Sequence, residues 1–468
     1  MTRITRRNFI RNSSVAAGAA LGLSPHARIL GANDDIHMGA VGFRSQGRNH
    51  IKWLLGLPGV RVMALCDPDR GVLNREVKQF SDRGEKVEAY TDIRKMLENK
   101  DIDAITTATP DHWHCLVTIW ACQAGKDVYV EKPLSHNIWE GRKVVEAAER
   151  HDRIVQWGNQ SHGQPTGEMQ LESGDLGKIR IVHASLNRMR NSIGKVDGPQ
   201  TPPESLDYDL WTGPAPLQPL MRRNLHYDWH WVWPTGTGEL GNNGIYPLDA
   251  CRLALGQNTL PRRVMSFGGR FLFDDDAETP NTQVAIYEFD PGPTIIFELR
   301  NLPSEEGPKT LGRKAICERG ESGLPRPTRP AGDTDEYRGH QGHMYNFLKA
   351  ARSRSVGDLR APIIEGHLST ALVHMGNISY RLGTPRSVDE AREDIKDRGS
   401  EAVETFERFR EHLVVNGVDF SKTEVVVGPW LEMDPQKEQF VGRSDLVARA
   451  NALARGTYRE PFVVPEKV

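Results

Sequence analysis

The sequence predicts an α/β fold in two unequal parts, a parallel-sheet domain followed by a larger α+β domain. Three observations carry this. From Ile36 to Trp157, short apolar runs alternate with helical stretches, the rhythm of right-handed βαβ units. After Trp157, strand-like runs follow one another without helices between them, a pattern of antiparallel sheet. At 468 residues the chain is too long for one compact core, so two or more domains are expected.

The elements follow in order. Ile36–Val41 reads as the first strand, then Gly42–Gly47 and a helix over Arg48–Leu55. Val60–Leu65 is a second strand ending at Cys66-Asp67-Pro68. Helices are expected over Gly71–Arg83 and Ile93–Asn99, a strand over Ile102–Ala108, a helix near His114–Ala124 and a buried strand over Asp127–Glu131. In the second part, strands are expected over Ile179–Asn187, Val264–Gly269, Gln283–Phe289 and Thr294–Leu299, with helices at Met344–Arg354 and Glu365–Leu382. From Thr384 a charged segment, Asp389–Arg410, leads into a tail ending Phe462-Val463-Val464-Pro465. Loops at Pro199–Pro219 and Leu225–Pro234 are long, and loops of that length are functional or disordered. Their content of Trp211, Trp229, Trp231 and Trp233 argues against disorder.

Net charge is -2, from 60 Lys+Arg against 62 Asp+Glu, with no long basic block. Nucleic acid is therefore not an expected partner. Five cysteines are scattered without a CxxC pair, which argues against a zinc site and a disulfide framework. His340 and His343 stand three apart but have no evident third ligand, so no metal is expected.

The amino terminus reads as a targeting segment. Thr5-Arg6-Arg7-Asn8-Phe9-Ile10 precedes a short, weakly apolar run, Val15–Leu23. This matches a twin-arginine export signal and is too short for the ~20 apolar residues that span a bilayer. Candidate cleavage lies near Ala27 or Ala32. The mature protein is then expected outside the cytoplasm, in the periplasm or otherwise exported, with the twin-arginine machinery a partner in transit.

Glu131-Lys132-Pro133 closes the buried strand. Ligands of open α/β sheets bind outside the carboxyl ends of the strands, so Lys132 stands where chemistry happens. A surface Lys-Glu pair on a turn is the plain alternative. Proline fixes the local backbone and makes a cis bond accessible at about 0.5–1 kcal/mol. Gly42-Phe43-Arg44-Ser45-Gln46-Gly47 has the spacing of GxGxxG, with Arg44 in place of the middle glycine. In that motif the glycines allow a tight turn, close approach to a pyrophosphate and close helix–strand packing. Arg44 fits if it turns outward, its guanidinium contacting phosphate or the adenosine end. Asp67 lies at the end of the second strand, where an acid accepts hydrogen bonds from a ribose diol and disfavours a 2′-phosphate. NAD is the cofactor this favours, with NADP as the alternative through Arg44 and Arg70. Thr109-Pro110-Asp111-His112-Trp113-His114 ends a further strand on the same rim. Capping by Asp111 explains only part of it.

With these elements in this order, the chain from about Ile36 to Leu382 resembles the Gfo/Idh/MocA family, glucose–fructose oxidoreductase, inositol dehydrogenase and relatives. A fourth motif, Asn242-Asn243-Gly244-Ile245-Tyr246-Pro247-Leu248-Asp249, completes the resemblance. It implies a Rossmann domain plus a domain on an open, mostly antiparallel sheet, whose face commonly packs dimers or tetramers. On this chain the nucleotide residues would be Gly42, Phe43, Arg44, Gln46, Gly47, Asp67, Thr109, Pro110, His112, His114, Glu131 and Lys132. The family's catalytic histidine is replaced by Tyr246, as in a minority branch. The implied boundaries are 1–32 for the signal, 36–157 for the nucleotide domain, 158–383 for the substrate and oligomerisation domain and 384–468 for an extension.

Oxidising a carbinol needs a base for the hydroxyl proton and a hydride acceptor. A free tyrosine, with a pKa near ~10, is a poor base unless a nearby ammonium stabilises the phenolate. The expected assignment is therefore Tyr246 as proton acceptor and Lys132 as its tuner, with Asp249 orienting a carbohydrate substrate. His226, His230 and Trp231 are further substrate candidates, and the tryptophans offer either packing or a platform for sugar faces. Two other readings stay open: a glycosidase or lyase using transient NAD-dependent oxidation of the sugar, and a redox-dead binding protein.

Overall fold

The computed structural model describes residues 35–162, 177–303, 312–323, 337–396, 399–442 and 445–468. The export signal expected over residues 1–32 lies outside the described residues. The first domain runs β1 (Ile36–Val41), α1 (Gln46–Leu55), β2 (Val60–Cys66), α2 (Arg70–Asp82), β3 (Glu88–Tyr90), α3 (Ile93–Leu97), β4 (Ala104–Thr107), α4 (Asp111–Gln123), β5 (Asp127–Glu131), α5 (Ile138–Arg150) and β6 (Val155–Gly158). Its strands pair in the order β3-β2-β1-β4-β5-β6, all parallel. β4 and β5 are buried along their whole length, as central parallel strands are when helices cover both faces. Side-chain caps start several helices: Asp69 accepts from the Gly71 and Val72 amides, and Asn137 accepts from the Glu140 amide. Strand order departs from β1 in both directions, so the crevice over the carboxyl ends of β1 and β4 is the ligand side.

The second domain contributes β7 (Ile179–Asn187), α6 (Tyr208–Thr212), α7 (Leu225–Asp228), α8 (Gly238–Asn242), α9 (Ile245–Ala254), β8 (Arg263–Gly269), β9 (Thr282–Glu288), β10 (Thr294–Arg300), β11 (Gly312–Cys317), β12 (Gly320–Gly323), α10 (Gly339–Ser353) and α11 (Ile363–Arg381). The carboxyl-terminal stretch adds β13 (Thr384–Arg386), α12 (Val388–Lys396), α13 (Ser400–Val415), β14 (Val425–Val427), β15 (Leu431–Asp434), β16 (Gln439–Val441) and α14 (Asp445–Arg455). The sheet order is β12-β11-β7-β10-β9-β8-β14-β13, with β15 also on β8. β7 and β10 pair in parallel, and the other described pairings are antiparallel.

Both faces of this sheet are covered by the chain itself. On one, Leu248 and Cys251 of α9 and Leu372 and Met375 of α11 pack on Val264, Tyr287 and Phe297. On the other, Phe406 and Phe409 of α13 bring their rings 5.6 and 5.3 Å from that of Phe267. This second face is the one the resemblance offers to another copy. Here α13 of the extension packs on it.

Two features cross the boundaries drawn from the sequence. Helix α10 packs Met344, Phe347 and Leu348 among Ile36, Met38 and Tyr129 of the first sheet. The tail crosses back as well: Phe462 stands 5.5 Å from Trp113 of α4. Arg459 donates to Asp209 Oδ1 at 2.7 Å and to the Gly213 carbonyl at 3.1 Å, beside α6. Helix α4 starts earlier than expected, and Pro110 rather than Asp111 is its cap residue. The Asp111 carboxylate instead accepts the Thr237 hydroxyl at 2.7 Å.

Candidate active site

A cleft of roughly 490 Å³ lies between the strand ends of the first domain and the α7–α9 region of the second. Its nucleotide end is built by the first loop. Gly42 has φ +68 and packs on Thr109, a conformation and closeness suited to glycine. A Cβ on Gly47 would fall on the Gly42 carbonyl oxygen, so the last glycine lets the loop fold onto α1. Arg44 is exposed and lines the cleft. Its side chain therefore does not pack into the loop, and its guanidinium is available to the cleft. Phe43 sends its ring into the core and its amide to Asp67 Oδ2 at 3.2 Å. These features form the cradle a dinucleotide pyrophosphate requires.

Asp67 lines the cleft at the end of β2. Burial raises its carboxyl to about 6, against the bonds it accepts from the Asp69 and Phe43 amides. Asp69 stands beside it and accepts from His226 Nε2 at 2.9 Å and from the Ser205 hydroxyl at 2.8 Å. Asp67, with the charge of Asp69 behind it, suits a ribose diol and opposes a 2′-phosphate, which favours NAD. His226, expected near a substrate, is instead placed at this ribose end. The raised Asp67 carboxyl gives a pH prediction. Protonation removes an acceptor for the diol, so NAD affinity is expected to weaken as pH falls through about 6, by up to about tenfold per pH unit. Asp67→Asn binding is expected to be weaker and flat with pH. Calorimetric titration of NAD across that range checks both.

Lys132 marks the reacting end, with Glu131 beneath it. The Lys132–Pro133 peptide is cis. Glu131 Oε1 accepts from His50 Nε2 at 2.9 Å, Gln46 Nε2 at 3.0 Å and Gln160 Nε2 at 3.1 Å. Burial alone would raise this carboxyl, but His50, Lys132 and Gln46 together hold it at about 2. Lys132 Nζ donates to the Asn242 carbonyl at 2.7 Å and to Asn242 Oδ1 at 3.3 Å. Burial lowers the Lys132 ammonium below its usual range, against the charges of Glu131, Asp111 and Glu239.

Tyr246 meets Lys132 across the cleft, but not as expected. Lys132 Nζ lies 5.3 Å from the centroid of the tyrosine ring, over its face rather than on its oxygen. Burial and the Glu131 charge raise the Tyr246 hydroxyl well above its usual value. This direction runs against the tuned phenolate expected from the sequence. A hydroxyl raised in this way keeps its proton and can donate a hydrogen bond into the cleft. His230 also lines this end. It stacks on Trp229 and donates from Nδ1 to the Tyr227 carbonyl at 2.6 Å, which leaves Nε2 as an acceptor. Burial lowers it to about 3, so its ring is neutral.

Asp249, expected to orient a substrate, does not line the cleft. It is buried and accepts from His162 Nδ1 at 2.9 Å, Asn159 Nδ2 at 2.9 Å and the Ser369 hydroxyl at 2.7 Å. Its work is to tie α9 to β6 and α11. Trp231 is likewise buried, beneath the Arg190 guanidinium. His112 faces the Thr235 and Trp211 carbonyls, both at 3.2 Å, and joins the two domains. His114 spans the Pro133 and Thr109 carbonyls at 2.6 and 2.8 Å, binding two strand-end loops together. Thr109, Pro110 and Gln46 line the cleft as expected. His340 stacks on Trp53 and also lines the cleft, whereas His343 is buried and bonds the Tyr129 hydroxyl. Gln160, Arg188, Arg190, Asn242 and Asn243 also line the cleft, and sequence reasoning gave none of them a role. Arg188 directly follows β7 and could have been found by the strand-end rule that found Lys132.

Residues 36–159 match the NAD-binding Rossmann-fold domain of the Gfo/Idh/MocA oxidoreductase family, and residues 183–408 match its C-terminal α/β domain. Among curated proteins, a glycosyl hydrolase family 109 protein of Shewanella pealeana is 27% identical over 171 residues, 32% of this chain and 38% of that protein. The α-N-acetylgalactosaminidase of Shewanella oneidensis is 30% identical over 143 residues, 30% of this chain and 31% of that enzyme. The chain thus aligns with about a third of the length of these relatives. Among solved structures, the WlbA dehydrogenase of Bordetella pertussis in complex with NADH and UDP-GlcNAcA superposes with a TM-score of 0.53 at 16% identity, covering 74% of this chain and 97% of that one. The myo-inositol dehydrogenase of Lactobacillus casei, in complex with NAD(H) and myo-inositol, superposes at 0.52 and 16%, covering 74% and 95%. These last two show a shared fold. By sequence, topology and nucleotide loop together, the chain belongs to the Gfo/Idh/MocA oxidoreductase family, with that family's NAD-binding Rossmann domain at residues 36–159.

Proposed function

We propose that this protein oxidises a hydroxyl of a sugar or sugar derivative, with NAD held captive in the cleft. The observation that carries the reading is the pairing of Lys132, at the carboxyl end of β5, with Tyr246 from the second domain at the wall of the nucleotide cleft. NAD, when bound, supplies the hydride acceptor. Lys132 takes the hydroxyl proton. Its ammonium is already lowered by burial, and Asn242 fixes Nζ while leaving it open to the cleft. Lowering its proton affinity in this way is the change that lets a lysine accept a proton from a substrate hydroxyl. Tyr246 keeps its proton and donates to the substrate, and His230 Nε2 accepts from a neighbouring hydroxyl.

The captive cofactor follows from the export signal expected at residues 1–32. The twin-arginine route carries folded protein, and no dependable dinucleotide supply exists outside the cytoplasm. The tail supports such retention. Arg459 and Phe462 hold α6 and α4, and Leu210, Trp211 and Trp113 of those helices line the cleft near Asp92 and Ile93. Purified mature protein is expected to keep its nicotinamide chromophore through dialysis. A chain ending at Gly456 is expected to lose it at least about tenfold faster, since each buried aromatic contact contributes about 0.5–1.5 kcal/mol. Cofactor-free wild-type protein with weak NAD binding would overturn the captive reading.

The similarity to glycosyl hydrolase family 109 proteins favours a second reading, a glycosidase in which oxidation of the sugar is transient. Mass spectrometry of molecules released from the protein, followed by product analysis with sugars and glycosides, separates the two. Net reduction of the retained cofactor by a free sugar supports the oxidoreductase. Glycosidic cleavage without a second redox substrate supports the hydrolase. Against a redox-dead binding protein stand Lys132 and Tyr246, both present at the cleft.

A further inference from the structure

The charged groups at the reacting end are held by close partners, Lys132 by both oxygens of Asn242, while Arg188 keeps most of its donors open. Glu131 is met by His50, Gln46 and Gln160, and the Asp111 carboxylate by the Thr237 hydroxyl. Arg190 forms a two-pronged pair with the fully buried Glu239, at 3.0 and 2.9 Å. Arg188 is different. It is exposed, lines the cleft and pairs with no carboxylate among the described residues. Its one recorded side-chain partner is neutral, Asn243 Oδ1 at 3.0 Å from Nη1.

That partner is itself fixed. Asn243 donates its amide to Glu239 Oε1 at 2.5 Å, so its carbonyl oxygen must face away from Glu239 and towards Arg188. The chain Arg190–Glu239–Asn243 thus holds the guanidinium of Arg188 by one N–H and leaves the rest of its planar fork unspent. Arg188 is close enough to Lys132 and Tyr246 for its charge to act on both. A surplus, oriented guanidinium beside the reacting centre is built for a planar or tetrahedral oxyanion, because it offers parallel N–H donors at fixed spacing.

We propose that the substrate is an anionic sugar, one carrying a carboxylate or phosphate group that Arg188 binds while Lys132 engages the reacting hydroxyl. This rests on the proposed oxidation of a sugar hydroxyl. The charged group lies a few atoms from the reacting carbon, since Lys132 and Arg188 are held by the adjacent residues Asn242 and Asn243. Recognition by a charge-assisted pair also excludes neutral sugars of the same shape, whose binding would leave the guanidinium unmatched.

The test compares D-glucuronate, D-galacturonate and glucose 6-phosphate with their neutral parents, D-glucose and D-galactose. Binding is read by tryptophan fluorescence, because Trp113, Trp211 and Trp229 line the cleft, and turnover by reduction of the retained nicotinamide. Wild type is expected to bind at least one anionic sugar about tenfold or more tightly than its parent, the range of a charge-assisted hydrogen bond. Arg188→Gln is expected to remove that advantage, mainly through KM, so that anionic sugars bind no more tightly than their neutral parents. Arg188→Lys should recover part of it for the phosphate and less for the carboxylates, since a lysine offers charge without the fork. Which arm responds identifies the group. Preference for neutral sugars, failure to bind every anionic sugar tested, or full retention of the preference in Arg188→Gln overturns the inference. Binding that follows Arg188 with no reduction of the cofactor leaves the inference standing and overturns the oxidation reading.

Discussion

Lys132→Ala is expected to lower kcat by about a thousandfold, the middle of the range for loss of a positioned proton-transfer group, while NAD remains bound. The separation is possible because Lys132 and the pyrophosphate cradle are held by different parts of the fold. Nζ is fixed by Asn242, a residue of the second domain, whereas Gly42 and Gly47 are shaped by Thr109 and by their own loop. Removing the ammonium leaves the Asn242 carbonyl without its donor, at a cost of about 1–3 kcal/mol, so a melting curve must accompany the kinetics. Lys132→Met, which keeps most of the side-chain volume, separates lost chemistry from lost packing. Tyr246→Phe is expected to cost only about ten- to a hundredfold, through a missing hydrogen bond. The order of the two effects decides the assignment. A tyrosine variant slower than the lysine variant would restore the phenolate mechanism, against the raised hydroxyl found here. The pH profile adds a second discriminator. With Lys132 accepting the proton, kcat/KM falls on the acid side as the amine is protonated, and that limb disappears in Lys132→Met.

Much of this was legible in local sequence, for a physical reason. The first domain announces itself because its parallel strands are buried on both faces and read as unbroken apolar runs, such as Ala104–Thr107 and Asp127–Glu131. The strand-end rule then points to Gly42, Asp67, Thr109 and Lys132 without any knowledge of tertiary contacts. What local pattern cannot carry is long-range pairing. Asp249 has the spacing of a site residue, yet its partners His162 and Ser369 lie 87 and 120 residues away and turn it into a buried tie. Helix α10 falls among second-domain residues but fills the core of the first sheet. The segment from Asp389 stands out in sequence only by its charge, but Phe406 and Phe409 lie within it and cover the second sheet. The sign of the Tyr246 shift was also out of reach, because it depends on burial and on Glu131 more than on the nearby lysine.

Gly47→Ala is expected to abolish retention of NAD and to destabilise the protein by about 3 kcal/mol, the upper part of the range for overpacking. The new methyl would meet a backbone atom, the Gly42 carbonyl oxygen, with the Phe43 Cβ immediately behind it. No rotamer relieves that contact, so the loop must lift from α1. Lifting it displaces the amides that would face the pyrophosphate and pulls the Phe43 amide from Asp67, which it now meets at 3.2 Å. Phosphate and ribose recognition should therefore fail together. Arg44→Gly is the informative contrast. It restores the expected motif but alters no packed contact, because Arg44 is exposed, so NAD affinity should stay within about tenfold of wild type, the most that one charge-assisted contact at an exposed site contributes. Mass spectrometry for bound NAD, with melting curves taken in its presence and absence, reads both variants. Stoichiometric NAD in Gly47→Ala would mean that the loop reaches the cofactor in some other conformation. A gain of affinity in Arg44→Gly would mean that the middle position obstructs the pyrophosphate after all, and the redox-dead reading would then deserve renewed weight.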